Sequence, residues 1–186
     1  MSIEKQFNFL KFHPSDINEH LEKLYNEAKN YKKICEFGVR TGVSTIALLK
    51  SLLDNPDSMI ESYDIEFHQN MNQIIDIVNK ENLTSRFKLN INSVLDIDPV
   101  KCDMLFIDTL HTYNQLSNEL KIHVESNPNA PKCLIFHDVE LFGLRDEITG
   151  LAGGLLPAII EFLSRNKHWY IDYYTRNNNG LMVLKR

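Results

Sequence analysis

Apolar residues in this chain recur with two periods, and the periods alternate. Short, nearly continuous apolar runs fall at 33–37, 59–63, 87–91, 104–107 and 133–136. Between them, at 43–53, 70–80 and 113–124, apolar positions return every three or four residues. The runs read as strands buried on both faces, and the longer period reads as helices that cover them. Ahead of the first strand, 15–30 carries Ile17, Leu21, Leu24, Tyr25 and Ala28 at helical spacing, with Ser15 or Asp16 as N-cap. Asn55-Pro56-Asp57 stops the helix that precedes it.

This alternation predicts an α/β fold, a mostly parallel, doubly wound sheet with helices on both faces. The pattern breaks near the C-terminus. A helix at 157–165 leads into the aromatic run 169–174, then Asn177-Asn178-Asn179-Gly180, then the apolar run 181–184. Asn-Gly between two strand patterns reads as a hairpin, so the last strand should run antiparallel. No repeat or long linker interrupts the chain, which predicts one domain over 1–186, its first 31 residues a helical lid or flanking segment.

Composition narrows the partners. A length of 186 residues suits one core, and a net charge of -5 with no basic stripe argues against a general nucleic-acid binder. The polar opening Met1-Ser2-Ile3-Glu4-Lys5 has no apolar leader, and no run approaches the roughly 18 apolar residues of a membrane span, so neither is expected. Cys35, Cys102 and Cys133 are odd in number and widely spaced in apolar surroundings, as buried thiols of a reducing cytoplasm would be. The aromatic run 169–174 could expose a patch through which copies of the chain associate.

The densest chemistry begins at the end of the first strand, in Ile34-Cys35-Glu36-Phe37-Gly38-Val39-Arg40-Thr41-Gly42-Val43-Ser44. In an open α/β sheet this first strand-to-helix turn is where nucleotide-like ligands bind. Its glycines admit a ligand close to the backbone, and the helix N-terminus offers N–H groups. The loop lacks a phosphate-cradling Gly-Lys-Ser/Thr and the third glycine of a dinucleotide fingerprint, and Glu36 opposes a pyrophosphate. A cationic or zwitterionic cofactor such as S-adenosylmethionine fits better. Asp64, 26 positions after Gly38, suits ribose hydroxyls or else caps the next helix. Asn92 and Ser93 could line an adenine or simply make a turn, and Arg40 could meet a carboxylate.

A second constellation joins the ends of two strands. Phe106-Ile107-Asp108-Thr109-Leu110-His111-Thr112-Tyr113 is followed downstream by Phe136-His137-Asp138. In a parallel sheet Asp108 and Asp138 would face one crevice, where a divalent cation relieves their repulsion. His111 is placed to act there as a base, or else to cap and pack on the following helix.

These motifs resemble the class I S-adenosylmethionine-dependent methyltransferases, and within them the small metal-dependent O-methyltransferases related to those acting on sugar and macrolide hydroxyls. The resemblance covers 33–186 and implies a Rossmann-like seven-stranded sheet in the order 3-2-1-4-5-7-6. It implies cofactor contacts from Glu36, Gly38, Arg40, Thr41, Gly42, Ser44, Asp64, Asn92, Ser93 and Asp108. It further implies magnesium or manganese on Asp108, His137 and Asp138, and removal of the acceptor proton by His111, with Asp108 beside it. His137 stands where the family often has an acid, so the ligand set departs from the pattern. The expected activity is methyl transfer to a hydroxyl of a small molecule or sugar. The competing readings are a nicotinamide-dependent oxidoreductase on the same architecture and an inactive cofactor-binding or assembly domain.

Overall fold

The strands run over Lys33–Phe37 (β1), Met59–Asp64 (β2), Phe87–Ile91 (β3), Met104–Ile107 (β4), Cys133–His137 (β5), Tyr170–Thr175 (β6) and Leu181–Lys185 (β7) in a computed structural model that describes residues 2–186. They form one sheet in the order β3-β2-β1-β4-β5-β7-β6. β7 is antiparallel to both of its neighbours. The expected mostly parallel, Rossmann-like sheet with a terminal hairpin is therefore present. The chain divides into two compact units, Met1–Val94 and Leu95–Arg186.

In the first unit β1, β2 and β3 pair in parallel, Ile34 against Ile60 and Ile60 against Phe87. The helices are Ile3–Phe12 (α1), Leu21–Ala28 (α2), Val43–Asp54 (α3) and Met71–Lys80 (α4). Leu24, Phe37, Ile46, Leu48, Leu49 and Leu52 are fully buried. α1 was not legible in the apolar pattern: only Ile3 and Phe7 are buried, while Phe9 and Phe12 stay exposed. Ser2 starts it, its hydroxyl accepting from the Lys5 N–H at 3.3 Å. The helix expected over 15–30 is shorter, opening as a 3-10 turn at Asn18–His20 and regular only from Leu21. Side chains compete for the backbone there: Asn18 Oδ1 accepts from the Ser15 N–H and Ser15 Oγ from the Ile17 N–H.

In the second unit β4 and β5 pair in parallel, Leu105 against Leu134, with Leu105, Phe106, Leu134 and Ile135 completely shielded. The helices are Tyr113–Leu120 (α5) and Leu155–Arg165 (α6). α5 ends earlier than its apolar period suggests and widens into a π-helical turn, Lys121–Glu125, where the buried His123 accepts the Val100 N–H at 3.3 Å. α6 starts two residues before the expected 157, because Pro157 lies in a first turn whose N–H groups have no helical partner. The β6–β7 hairpin turns through Asn178, Asn179 and Gly180, all at positive φ. β6 leaves Tyr170, Ile171, Tyr173 and Tyr174 exposed. The three cysteines are buried, and none is in a disulfide among the described residues. Among the described residues no helix is long and apolar enough to cross a membrane.

Candidate functional site

Each unit carries its own constellation. In the first, β1 ends at Phe37 and the chain turns through Gly38, Arg40 and Gly42, at φ of 87°, 46° and 80°. Gly42 is the N-cap of α3 and, having no side chain, makes no capping bond of its own. A Cβ on Gly42 would lie 2.7 Å from the Ile74 side chain, so the position requires glycine twice over. The loop is tied to the end of β2: Asp64 Oδ2 accepts the N–H groups of Val39 at 2.9 Å and Arg40 at 2.8 Å. Asp64 Oδ1 accepts from the Glu66 N–H at 3.2 Å, and the Asp64 carbonyl from the Asn92 N–H at 2.8 Å.

Glu36 lies wholly inside, where a carboxylate is costly unless its oxygens are bonded. Ser44 Oγ donates to its Oε1 at 2.7 Å, while Thr45 Oγ1 and Ser62 Oγ donate to Oε2 at 2.8 and 2.6 Å. This acid therefore braces the start of α3 against β1 and β2. The Arg40 guanidinium pairs with Asp16. Thr41 and Asn92 are exposed and Ser93 is half-buried. Of the cofactor residues expected from sequence, Glu36 and Ser44 share one bonded network and Arg40, Asp64 and Asn92 another.

In the second unit the ends of β4 and β5 bring Asp108, His137 and Asp138 together, and His111 reaches the same place from the loop before α5. Asp138 itself takes a positive φ of 59° to do so. His111 Nε2 is 3.1 Å from Asp108 Oδ1 and 3.1 Å from Asp138 Oδ2. His137 Nδ1 is 3.2 Å from Asp108 Oδ1 and 3.4 Å from Asp138 Oδ2. The His111 ring also stacks on Phe142, centroids 5.0 Å apart and planes 15° from parallel.

Burial alone would raise the Asp108 carboxyl, but hydrogen bonds from His111 and His137 hold it well below the usual carboxylate range. Burial would likewise lower His137, yet its bonds to Asp108 and Asp138 push it up to about 10. His111 also rises, Asp108 outweighing its burial. His137, carried as imidazolium, thus answers the crowded carboxylates. One oxygen stays outside this exchange: Asp138 Oδ1 is buried without a hydrogen-bond partner. Donor atoms of Asp108, His137 and Asp138 lie within 4.8 Å of one another, an arrangement able to hold a metal ion. The residues predicted for a metal and for the base are thus brought together.

Two further residues at this cluster escaped the sequence reading. Glu147 Oε2 accepts both from the His111 backbone N–H and from its ring Nδ1, each at 2.9 Å. It sits in an exposed loop with no periodicity to mark it. Glu119 is completely buried on α5, its Oε1 accepting from Thr109 Oγ1 at 2.7 Å and Gln115 Nε2 at 2.8 Å. Its Oε2 has no partner, and it lines a small cavity with His111, His137, Phe136 and Leu155. Burial pushes this carboxyl up to about 7 against those two bonds. The signal was present: Glu119 falls between Leu116 and Leu120 on the apolar side of its helix.

A family model described as a methyltransferase domain matches residues 35–139. Solved structures share the fold at low identity. S-adenosylhomocysteine-bound methyltransferase PaMTH1 of Podospora anserina is 12% identical, with 98% of this chain and 86% of that one covered and a TM-score of 0.65. A methyltransferase from Geobacter sulfurreducens is 15% identical, with 99% and 85% covered and a TM-score of 0.64. The O-methyltransferase TomG of Streptomyces achromogenes, involved in tomaymycin synthesis and solved with S-adenosylmethionine, is 17% identical, with 98% and 85% covered and a TM-score of 0.64. No curated protein sequence matches the chain.

Proposed function

The chain belongs to the methyltransferase-domain family, and from that membership we propose that it transfers the methyl group of S-adenosylmethionine to a hydroxyl oxygen of a small-molecule acceptor. The observation that carries the oxygen-directed part is the His111 ring, whose Nε2 faces Asp108 and Asp138 at 3.1 Å while its Nδ1 is held by Glu147. A hydroxyl is a weak nucleophile until it loses its proton, and an imidazole at the ends of parallel strands is suited to take that proton.

The glycine loop fits the cofactor. The start of α3 offers backbone N–H groups with no capping side chain, suited to the carboxylate of a methionine moiety. Asp64 keeps the loop in shape and is the acid for ribose hydroxyls; Thr41, Asn92 and Ser93 are accessible enough to contact the nucleoside. S-Adenosylmethionine supplies a methyl group made electrophilic by its sulfonium sulfur. In the reaction the acceptor proton passes to His111 Nε2 as the new O–C bond forms and the S–CH3 bond breaks, with S-adenosylhomocysteine leaving.

Asp108, His137 and Asp138 would hold a divalent cation. The buried Asp138 Oδ1 lacks a partner, and the donor atoms converge, so the residues fit such an ion. When bound, it lowers the pKa of a nearby acceptor hydroxyl. One nitrogen among the ligands moves the preference from magnesium toward manganese.

Calorimetry with S-adenosylmethionine, and with NAD as comparator, tests the cofactor assignment. Binding of the methyl donor alone is the expected outcome, and binding of NAD alone overturns the reading in favour of the oxidoreductase. His111→Ala tests the chemistry through S-adenosylhomocysteine release on a panel of sugar, phenol and polyketide hydroxyls, with added manganese or a chelator. Turnover should fall by about 10²–10⁴-fold with cofactor affinity nearly unchanged. Preserved turnover with lower thermal stability would leave His111 a packing residue.

A further inference from the structure

Glu147 makes an unusually complete bracket around His111. Its Oε2 accepts from the backbone N–H and the ring Nδ1 of His111, and its own N–H donates to the His111 carbonyl at 3.2 Å. A carboxylate can only accept, so the ring must present Nδ1–H to it. That choice leaves Nε2 as the atom turned toward Asp108 and Asp138.

The bracket is built rather than accidental. Glu147 sits in the loop 141–154, which is tied together by hydrogen bonds of its own. Asp146 Oδ1 accepts the N–H groups of Ile148 and Thr149 at 2.9 and 2.8 Å, and Arg145 bridges to Ala152. The loop is fastened again at the start of α5, where the Tyr113 N–H donates to the Gly153 carbonyl at 2.6 Å. From this same loop Phe142 stacks on the His111 ring. One face of the imidazole and one of its nitrogens are thus fixed by a single segment.

We propose that Glu147 is a positioning residue for methyl transfer: it holds the Nδ1 edge of the His111 ring and aims Nε2 at the place where the acceptor proton is lost. The proposal rests on the reading of His111 as base but stands apart from the cation, since Glu147 is outside the group Asp108, His137 and Asp138. It gives the dispensable-looking loop a task at the reaction centre. Loss of a carboxylate that orients a metal-bound histidine commonly costs about 10–100-fold, and a base held in the same way should lose a comparable factor.

The test is a long-range ¹H–¹⁵N spectrum of the histidine rings of the whole protein, with the His111 signals assigned by their loss in His111→Ala. In the unsubstituted protein the His111 Nδ1 proton should be bonded and slow to exchange. In Glu147→Ala it should exchange at least about tenfold faster, or its signal should vanish, as expected when an ordered bond is replaced by solvent. Glu147→Gln, which keeps the length and one acceptor, should fall between. Unchanged His111 signals in Glu147→Ala overturn the proposal whatever the turnover. Changed signals in Glu147→Ala combined with full turnover of His111→Ala would leave ring positioning standing but remove its role in transfer. A melting curve that stays close to that of the parent separates these effects from loss of the fold. On the hydroxyl panel, Glu147→Ala should lower kcat by about 10–100-fold and leave KM for S-adenosylmethionine unchanged.

Discussion

Single side chains here do different work from what their type suggests. Glu36, an acid at the mouth of a glycine loop, faces inward and is bonded by three hydroxyls rather than open to solvent. Glu119 is its opposite: equally buried, but with one oxygen unpartnered and its pKa pushed up to about 7 from 4.5. The linkage sign follows from that direction. A carboxyl raised on folding is carried more easily as the acid, so the fold loses stability as pH rises from about 4.5 through 7 and stays lower above. Glu119→Gln removes the charge while keeping an acceptor for Thr109. Its melting temperature should exceed that of the parent at pH 8, by on the order of 2–3 kcal/mol in stability, and the difference should shrink toward pH 4.5. A parent-like pH profile in the variant would mean that Glu119 is not the group responsible. The bonding of Glu36 could not be read from sequence, since its partner Ser62 lies 26 residues away on another strand, whereas Glu119 was marked by its place between Leu116 and Leu120.

At the scale of elements, α3 shows how a loop and a helix are specified together. Gly42 combines φ of 80° with an approach to Ile74 that leaves no room for a methyl group. Gly42→Ala should therefore cost about 1–2 kcal/mol for the left-handed backbone, and more for displacing Ile74. Thermal melting checks the stability loss, and calorimetry should show weaker binding of S-adenosylmethionine, because the loop and the α3 N-terminus move together. Unaltered binding would separate the loop from the cofactor. The glycines and the apolar period of this helix were both plain in the sequence. The short helix after Ser15 was not, because Ser15 and Asn18 bond the backbone locally and outcompete the helix that Ile17 and Leu21 suggest. α1 escaped for a different reason: of its five large apolar residues only Ile3 and Phe7 are buried, while Phe9 and Phe12 are exposed, so no apolar stripe marks it.

For the molecule as a whole, ligand binding should register as stability. A ligand held only by the native chain stabilises it by about 2.7 kcal/mol at a concentration one hundred times its Kd, which for a chain this long raises Tm by roughly 5–10 °C. S-Adenosylmethionine should produce that shift and NAD should not. Asp64→Ala should reduce it, since the carboxylate holds Val39 and Arg40 as well as being the proposed ribose acceptor. An undiminished shift in that variant would show that the loop keeps its shape without Asp64.

The sequence by itself determined the strand–helix alternation, the antiparallel hairpin and the strand ends at which chemistry collects. Those features are local: apolar period, glycine at positive φ, Asn-Gly at a turn, a polar residue where an apolar run stops. It also singled out Asp108, His111 and Asp138, because adjacent strands of a parallel sheet deliver their ends to one side, and the family resemblance added His137. Tertiary structure alone decided what each group bonds. It turned Glu36 inward and spent Asp64 on the loop backbone. It paired Arg40 with Asp16 and brought Glu147, 36 residues away, onto the ring of His111. Which donor meets which acceptor depends on distances between elements that neither period nor motif encodes, and at these strand ends a few ångströms separate a bound carboxylate from a bare one.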